Sequence, residues 1–233
     1  SFANKKKQPA LILKTNGATY SVIDREECLE KIQKIKNMFP KDWKLPNIYL
    51  LHGSFSDKEM NYIYNHPKVK AMVSFTHGEG FGRPLLESTM TGLPVVAPNW
   101  SGHMDFLDEE RSLVLGGELI QVPKVQHWEN VVIPESQWFN VNEQQAYKCL
   151  NYCFENEQII KSKGKELMKI NRDKFTLNQM TKQLDEIINK YIENKPQQVG
   201  LQLPKLKKIN KGESDSPKLK LPKLKKVTNK ESL

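Results

Sequence analysis

VSFTHGEGFGRPLLESTMTGLPVVAPNWSGHMD, residues 73–105, sets the architecture of the chain. Val73-Ser74-Phe75-Thr76 is a short apolar run with β preference. His77-Gly78-Glu79-Gly80-Phe81-Gly82 cannot continue it, because three glycines in six residues favour a loop and close approach of backbone to a ligand. Pro84 suits the first turn of a helix, where its missing N–H costs nothing. Gly92 followed by Pro94 is a helix stop. Val95-Val96-Ala97 reads as a buried strand, and Pro98 to His103 as a second loop. Two parallel strands joined by a helix bring both loops to the carboxyl edge of one sheet.

Open α/β sheets bind their ligands at that edge. A helix starting near Arg83 presents unpaired N–H groups and a partial positive charge there, which suits an anion such as a phosphate. Glu79 lies in the first loop and Glu87 one turn into the helix. A carboxylate accepts two or more hydrogen bonds, so a pair lining one cleft suits a polyhydroxylated ligand. Such a site also rejects analogues that lack the hydroxyls. Phe81 reads as a wedge packing the loop.

The run Glu79-Gly80-Phe81-Gly82-Arg83-Pro84-Leu85-Leu86-Glu87, then Gly92-Leu93-Pro94-Val95-Val96 and Ser101-Gly102, resembles the nucleotide-sugar half of retaining GT-B glycosyltransferases, the glycosyl transferases group 1 family. The specific match covers about thirty residues, and a looser one extends to about residue 194. The resemblance implies that Glu79, the catalytic candidate, holds hydroxyls of the donor sugar. It implies that the amides of Gly80, Phe81 and Gly82 face the sugar and diphosphate, and that Glu87 binds the ribose. Arg83 either touches phosphate or forms a surface ion pair. Gly102 and His103 occupy the place where many relatives carry Gly-x-x-Glu, with Asp105 near the expected acid. His103 either stabilises leaving-group charge or caps the following turn. The resemblance implies no metal and no cofactor beyond the nucleotide diphosphate sugar itself.

The chain has 233 residues, enough for one α/β domain. No apolar run reaches membrane-spanning length and no signal-peptide pattern opens the chain. Cys28, Cys149 and Cys153 have no metal-ligand spacing, which points to a reducing compartment. The net charge of +9 is unevenly placed. Eleven lysines against three acids lie in residues 195–233, leaving 25 basic and 24 acidic residues in the body. The body therefore has no global nucleic-acid signature.

In chain order, Ala10 to Lys14 is the first strand. Lys14 closes it at the ligand edge, either reaching phosphate or nucleotide or staying a surface lysine. Residues 26–39 carry Cys28, Leu29, Ile32, Ile35, Met38 and Phe39 at helical spacing. Residues 47–53 form the second strand, whose exit at His52 and Gly53 lies near the nucleotide base in the family. Ser56 and Glu59 have capping-box spacing at the start of the next helix. Strands and helices alternate, so the fold class is α/β with a doubly wound, Rossmann-like parallel sheet. Leu113–Leu115 and Leu119–Val122 are short β segments. Trp128 and Trp138 either stack on a sugar or, the reading preferred, pack between the sheet and the final helices; residues 143–169 read as helical, and Leu177 to Tyr191 as a strongly amphipathic last helix.

The domain division is a donor-binding domain over 1–175, incomplete at its N-terminus, a terminal helix over 176–194, and a disordered Lys/Pro/Leu repeat tail over 195–233. In the family an N-terminal acceptor domain precedes such a half, as do a strand and a loop whose Arg and Lys grip the diphosphate. The expected function is transfer of a sugar from a nucleotide diphosphate sugar to a hydroxyl of a carbohydrate, lipid or protein acceptor, with retention. The acceptor domain is supplied in cis or in trans, and the isolated fragment is inactive or weak. The expected location is cytoplasmic or peripheral at an anionic membrane surface, each tail lysine contributing roughly 1 kcal/mol there. The rival reading is a non-catalytic nucleotide-sugar binding or scaffold subunit acting with a separate acceptor-domain polypeptide.

Overall fold

Alternating elements and their turn signals lay out the chain in the computed structural model, which describes residues 1–15, 21–129 and 131–192. Ser1–Ile188 forms one compact unit. The expected tail over 195–233 lies outside the described residues.

Strand β1 (Leu11–Thr15) is followed by helix α1 (Val22–Asn37), β2 (Ile48–His52), α2 (Asp57–Asn65) and β3 (Met72–Val73). Then come α3 (Arg83–Thr89), β4 (Val95–Pro98) and β5 (Leu113–Leu115). β6 (Gly117–Gln121) and β7 (Gln137–Val141) precede α4 (Glu143–Glu155), α5 (Glu157–Lys174) and α6 (Leu177–Tyr191). β1 pairs with β2 in parallel, and β3, β4 and β5 form a second parallel set. The fold class is α/β with a doubly wound parallel arrangement, as the alternation requires.

Local chemistry starts α2 where its capping-box spacing put it, while α1 begins at Val22, ahead of the 26–39 span read from its periodicity. The Ser56 hydroxyl accepts from the Glu59 amide at 3.3 Å, and Glu59 accepts from the Ser56 amide at 2.8 Å. Ser21 and Asp24 form an equivalent box at the start of α1. These reciprocal bonds satisfy N–H groups that a helix start leaves without partners.

The core is centred on β4, all four residues of which are buried. Val95 and Ala97 pack with Leu85 of α3, Leu167 of α5, Phe106 and Leu107. Val96 faces the other way, against Leu115 and Ala146 of α4, with Cys149 and Cys153 beside them. Period-two alternation with a covered layer on each side makes β4 apolar throughout.

Three features differ from the sequence expectation. β6 pairs antiparallel with β7, a strand read as a packing segment. α1 buries none of its residues, although its apolar spacing anticipated a packed face. The parallel strands form two separate sets, β1 with β2 and β3 with β4 and β5, so β1 and β3 are each unpaired on one edge among the described residues. Leu11 and Ile12 are correspondingly half-exposed.

Candidate functional site

The loop between β3 and α3 carries Glu79, and it is held from two sides. The first clamp is β7. His77 accepts the Phe139 N–H at its carbonyl oxygen at 3.1 Å, and its Nδ1 lies 2.8 Å from the Phe139 carbonyl oxygen. The His77 ring stacks on Trp138 with centroids 4.0 Å apart and planes 6° apart. Trp138 therefore braces this loop, not the final helices against the sheet as the sequence suggested. Trp100 stacks on Phe139 at 5.9 Å and closes the same wall.

The second clamp is the loop after β4. Ser101 Oγ accepts from the Glu79 N–H at 2.7 Å and donates to the Glu79 carbonyl oxygen at 3.1 Å. The Gly102 N–H reaches that carbonyl oxygen at 3.0 Å. The loops approach so closely that a Cβ at Gly102 would lie 2.0 Å from the Gly80 carbonyl oxygen. Only glycine fits there.

With its backbone fixed on both sides, Glu79 is half-buried. Among the described residues no hydrogen bond or ion pair engages its carboxylate. The amide N–H groups of Gly80, Phe81, Gly82 and Arg83 likewise make no bond within the described chain. Consecutive free N–H groups in a turn form a concave site for anions. Gly82 stands at φ 84° as the N-cap of α3, which bends the chain into the helix.

The helix itself contributes less than its sequence suggested. α3 has seven residues, Pro84 lacks an N–H, and the Leu85 and Leu86 amides already reach the Gly82 carbonyl oxygen at 2.9 and 3.1 Å. The free donors thus lie in the loop before the helix. Phe81 turns away from them and meets the edges of Phe106 and Phe175 at 5.3 and 6.2 Å, acting as a wedge.

Glu87 and Arg83 are one turn apart and form an ion pair at 3.0 Å, with the arginine side chain 77% exposed. A pair this open contributes about 0.3–0.5 kcal/mol and is readily exchanged for another partner. His103 is fully buried, its Nε2 lies 2.7 Å from the Pro98 carbonyl oxygen, and its Nδ1 has no partner. A carbonyl only accepts, so Nε2 is the donor of this bond. The ring anchors its turn back to the end of β4 and does not cap the turn that follows. Lys14, on the other strand set, donates to the Gly53 carbonyl oxygen at 2.9 Å and ties β1 to the exit of β2.

The structure thus gathers Glu79, Gly80, Gly82, Gly102 and His103 at the carboxyl edge of β3 and β4, with Phe81, Arg83 and Glu87 on the adjoining loop and helix. Sequence reading missed His77 and the hydroxyl of Ser101, whose partners are 62 and 22 residues away. Among the described residues no group of three His, Cys, Asp or Glu side chains could hold a metal ion. No helix among them is long and apolar enough to cross a membrane.

No protein-family model matches the chain, and no curated protein matches it. Solved structures do. HepE from Anabaena in complex with UDP-glucose superposes with a TM-score of 0.53 at 16% identity, over 78% of this chain and 41% of its own. Sucrose-phosphate synthase from Thermosynechococcus elongatus gives 0.53 at 14% identity, over 77% and 38%. A glycosyltransferase from Rickettsia africae gives 0.52 at 16% identity, over 82% and 42%. The chain spans about two-fifths of the length of these solved chains. It has the α/β fold of part of a GT-B glycosyltransferase.

Proposed function

We propose that this chain is the donor-binding half of a retaining glycosyltransferase of the glycosyl transferases group 1 type, which moves a sugar from a nucleotide diphosphate sugar to an acceptor hydroxyl. One observation carries the reading. A row of free loop amides, Gly80 to Arg83, lies between two carboxylates at the carboxyl edge of a parallel sheet. Amides suit the diphosphate and carboxylates suit the hydroxyls on either side of it.

In this reading the amides of Gly80, Phe81 and Gly82 take the charge that grows on the leaving diphosphate. Preorganised donors are most effective where charge develops in the transition state. Glu79 accepts from donor-sugar hydroxyls and orients the ring, which places the anomeric carbon for attack. Glu87 accepts from the ribose hydroxyls and releases Arg83 toward phosphate. Gly102 borders the same edge, His103 holds the turn that presents it, and Lys14 is the donor-binding candidate of the separate β1–β2 strand set. The diphosphate charge is met by amides and basic side chains, without a metal. The acceptor and the residues that bind it come from polypeptide beyond this half, in cis or in trans.

Exposure of one face of α6 also favours the reading as a binding subunit that works beside a separate acceptor-domain chain. Leu177, Met180, Leu184 and Ile187 on that helix are each more than half exposed.

Calorimetric titration with UDP, GDP and ADP tests the nucleotide role. One of them is expected to bind, and Glu87→Ala to weaken it by about 1.5–3 kcal/mol, the value of hydrogen bonds to a charged acceptor. Equal binding by the variant would remove Glu87 from the site. Failure of all three nucleotides to bind a folded chain would overturn the reading.

A further inference from the structure

We infer that Ser101 is a positioning residue for the loop that carries Glu79. Its hydroxyl fixes the Glu79 backbone, and a strained main chain at Ser101 aims that hydroxyl. Ser101 stands at φ 78°, ψ −164°. Such a combination is essentially confined to glycine, because a Cβ crowds the main chain there. Asn4 is the one other non-glycine residue with positive φ among the described residues, and asparagine tolerates it.

A strained residue persists only where its surroundings hold it. Here the Met104 N–H reaches the Ser101 carbonyl oxygen at 3.0 Å, and the other holding bonds converge on Glu79. The Ser101 hydroxyl accepts from the Glu79 N–H at 2.7 Å and donates to the Glu79 carbonyl oxygen at 3.1 Å. The Gly102 N–H adds a third bond to that oxygen at 3.0 Å. One side chain therefore satisfies both polar groups of one backbone residue in another loop.

The free amides of Gly80, Phe81 and Gly82 lie beyond the clamped residue and are held separately by the Phe81 wedge and the N-cap of α3, so the clamp acts on Glu79 itself. Glycine at 101 would adopt the backbone without strain but would leave Glu79 unclamped. The serine side chain trades local stability for a fixed loop. The functional consequence rests on reading this loop as the donor site; the mechanical one does not.

The experiment compares the full chain with Ser101→Gly and Ser101→Ala. At an ordinary backbone position glycine lowers stability relative to alanine. Here the order reverses: Ser101→Gly melts above Ser101→Ala, because alanine keeps the strain and loses the hydroxyl. In Ser101→Gly, hydrogen exchange at the Glu79 amide quickens by about tenfold, the equivalent of one lost hydrogen bond, while exchange at Val96 in β4 does not change. Affinity for whichever of UDP, GDP and ADP binds stays within about twofold, while the gain in affinity from that nucleotide to its glucose conjugate falls by about tenfold. A general structural role would move both ligands together.

Ser101→Ala melting at or above Ser101→Gly would overturn the inference. So would unchanged exchange at Glu79 in the glycine variant. If Ser101→Ala does not fold while Ser101→Gly does, the predicted order stands. If the wild-type chain binds none of UDP-, GDP- and ADP-glucose, the donor reading fails on its own, and the melting order and amide exchange still decide the role of Ser101.

Discussion

Tyr64 shows how one side chain ties stability to the candidate site. It is 7% exposed, and its hydroxyl has no hydrogen-bond partner. Burial, and then the charge of Glu87, pushes its pKa from an ordinary 10.0 up to about 12. A raised tyrosine pKa gives stability that is fully present below about pH 10 and is lost as pH climbs toward 12, because only the unfolded chain ionises there. Tyr64→Phe is therefore expected to keep or slightly raise stability at pH 8. At pH 11 it should spare about 1 kcal/mol of the alkaline loss. Denaturant unfolding at the two pH values measures this, and an identical loss in both proteins would contradict it.

Legibility at the residue scale follows the reach of each interaction. Glu79, Gly82 and Glu87 stand out because loop and helix signals surround them in sequence. Ser101 does not, since nothing in a serine announces φ 78°. Nothing local about His77 announces its stack on Trp138 either.

Among the elements, α5 depends on Asn171, which is 1% exposed. Its amide donates to Thr89 Oγ1 at 2.9 Å and to the Phe106 carbonyl oxygen at 3.1 Å. One side chain thus joins α5 to α3 and to the turn that follows the Ser101-Gly102 loop. Asn171→Ala leaves both acceptors without that donor in a buried site and opens a cavity. The expected loss is about 2–4 kcal/mol, with the urea midpoint falling at unchanged m-value. A loss under about 1 kcal/mol would show that water or a neighbour replaces the amide.

The helices were legible because capping boxes and Gly-Pro stops are local chemistry. Ser56 with Glu59 and Gly92 with Pro94 both act as their spacing requires. β7 was not legible, because its partner β6 is set by antiparallel pairing across an intervening loop. α1 was legible as a helix but not as an exposed one. Periodicity indicates which residues share a face, and burial depends on what lies against it.

For the whole molecule, β4 orders the described body, with α3 and α5 on one side and α4 on the other. That arrangement follows from a strand apolar on both faces. The separation of β1 and β2 from β3 to β5 was not legible, because strand order is a long-range property that alternation leaves open. Its consequence is an edge at β1 and another at β3, flanked by half-exposed Leu11 and Ile12. The charge division was readable by counting, and it leaves the body with 25 basic and 24 acidic residues. Any strong local field at the site must come from oriented amides and single side chains, not from net charge.

The most direct test compares whichever of UDP, GDP and ADP binds with its glucose conjugate, each titrated calorimetrically into the chain and into Glu79→Ala. The wild-type chain is expected to bind the sugar nucleotide more tightly than the bare nucleotide. Glu79→Ala should bind the bare nucleotide normally and lose that gain, by about 1.5–3 kcal/mol for hydrogen bonds to a charged acceptor. Equal loss of both ligands, or a sugar-dependent gain that survives in Glu79→Ala, would contradict the assignment of this loop to the donor sugar.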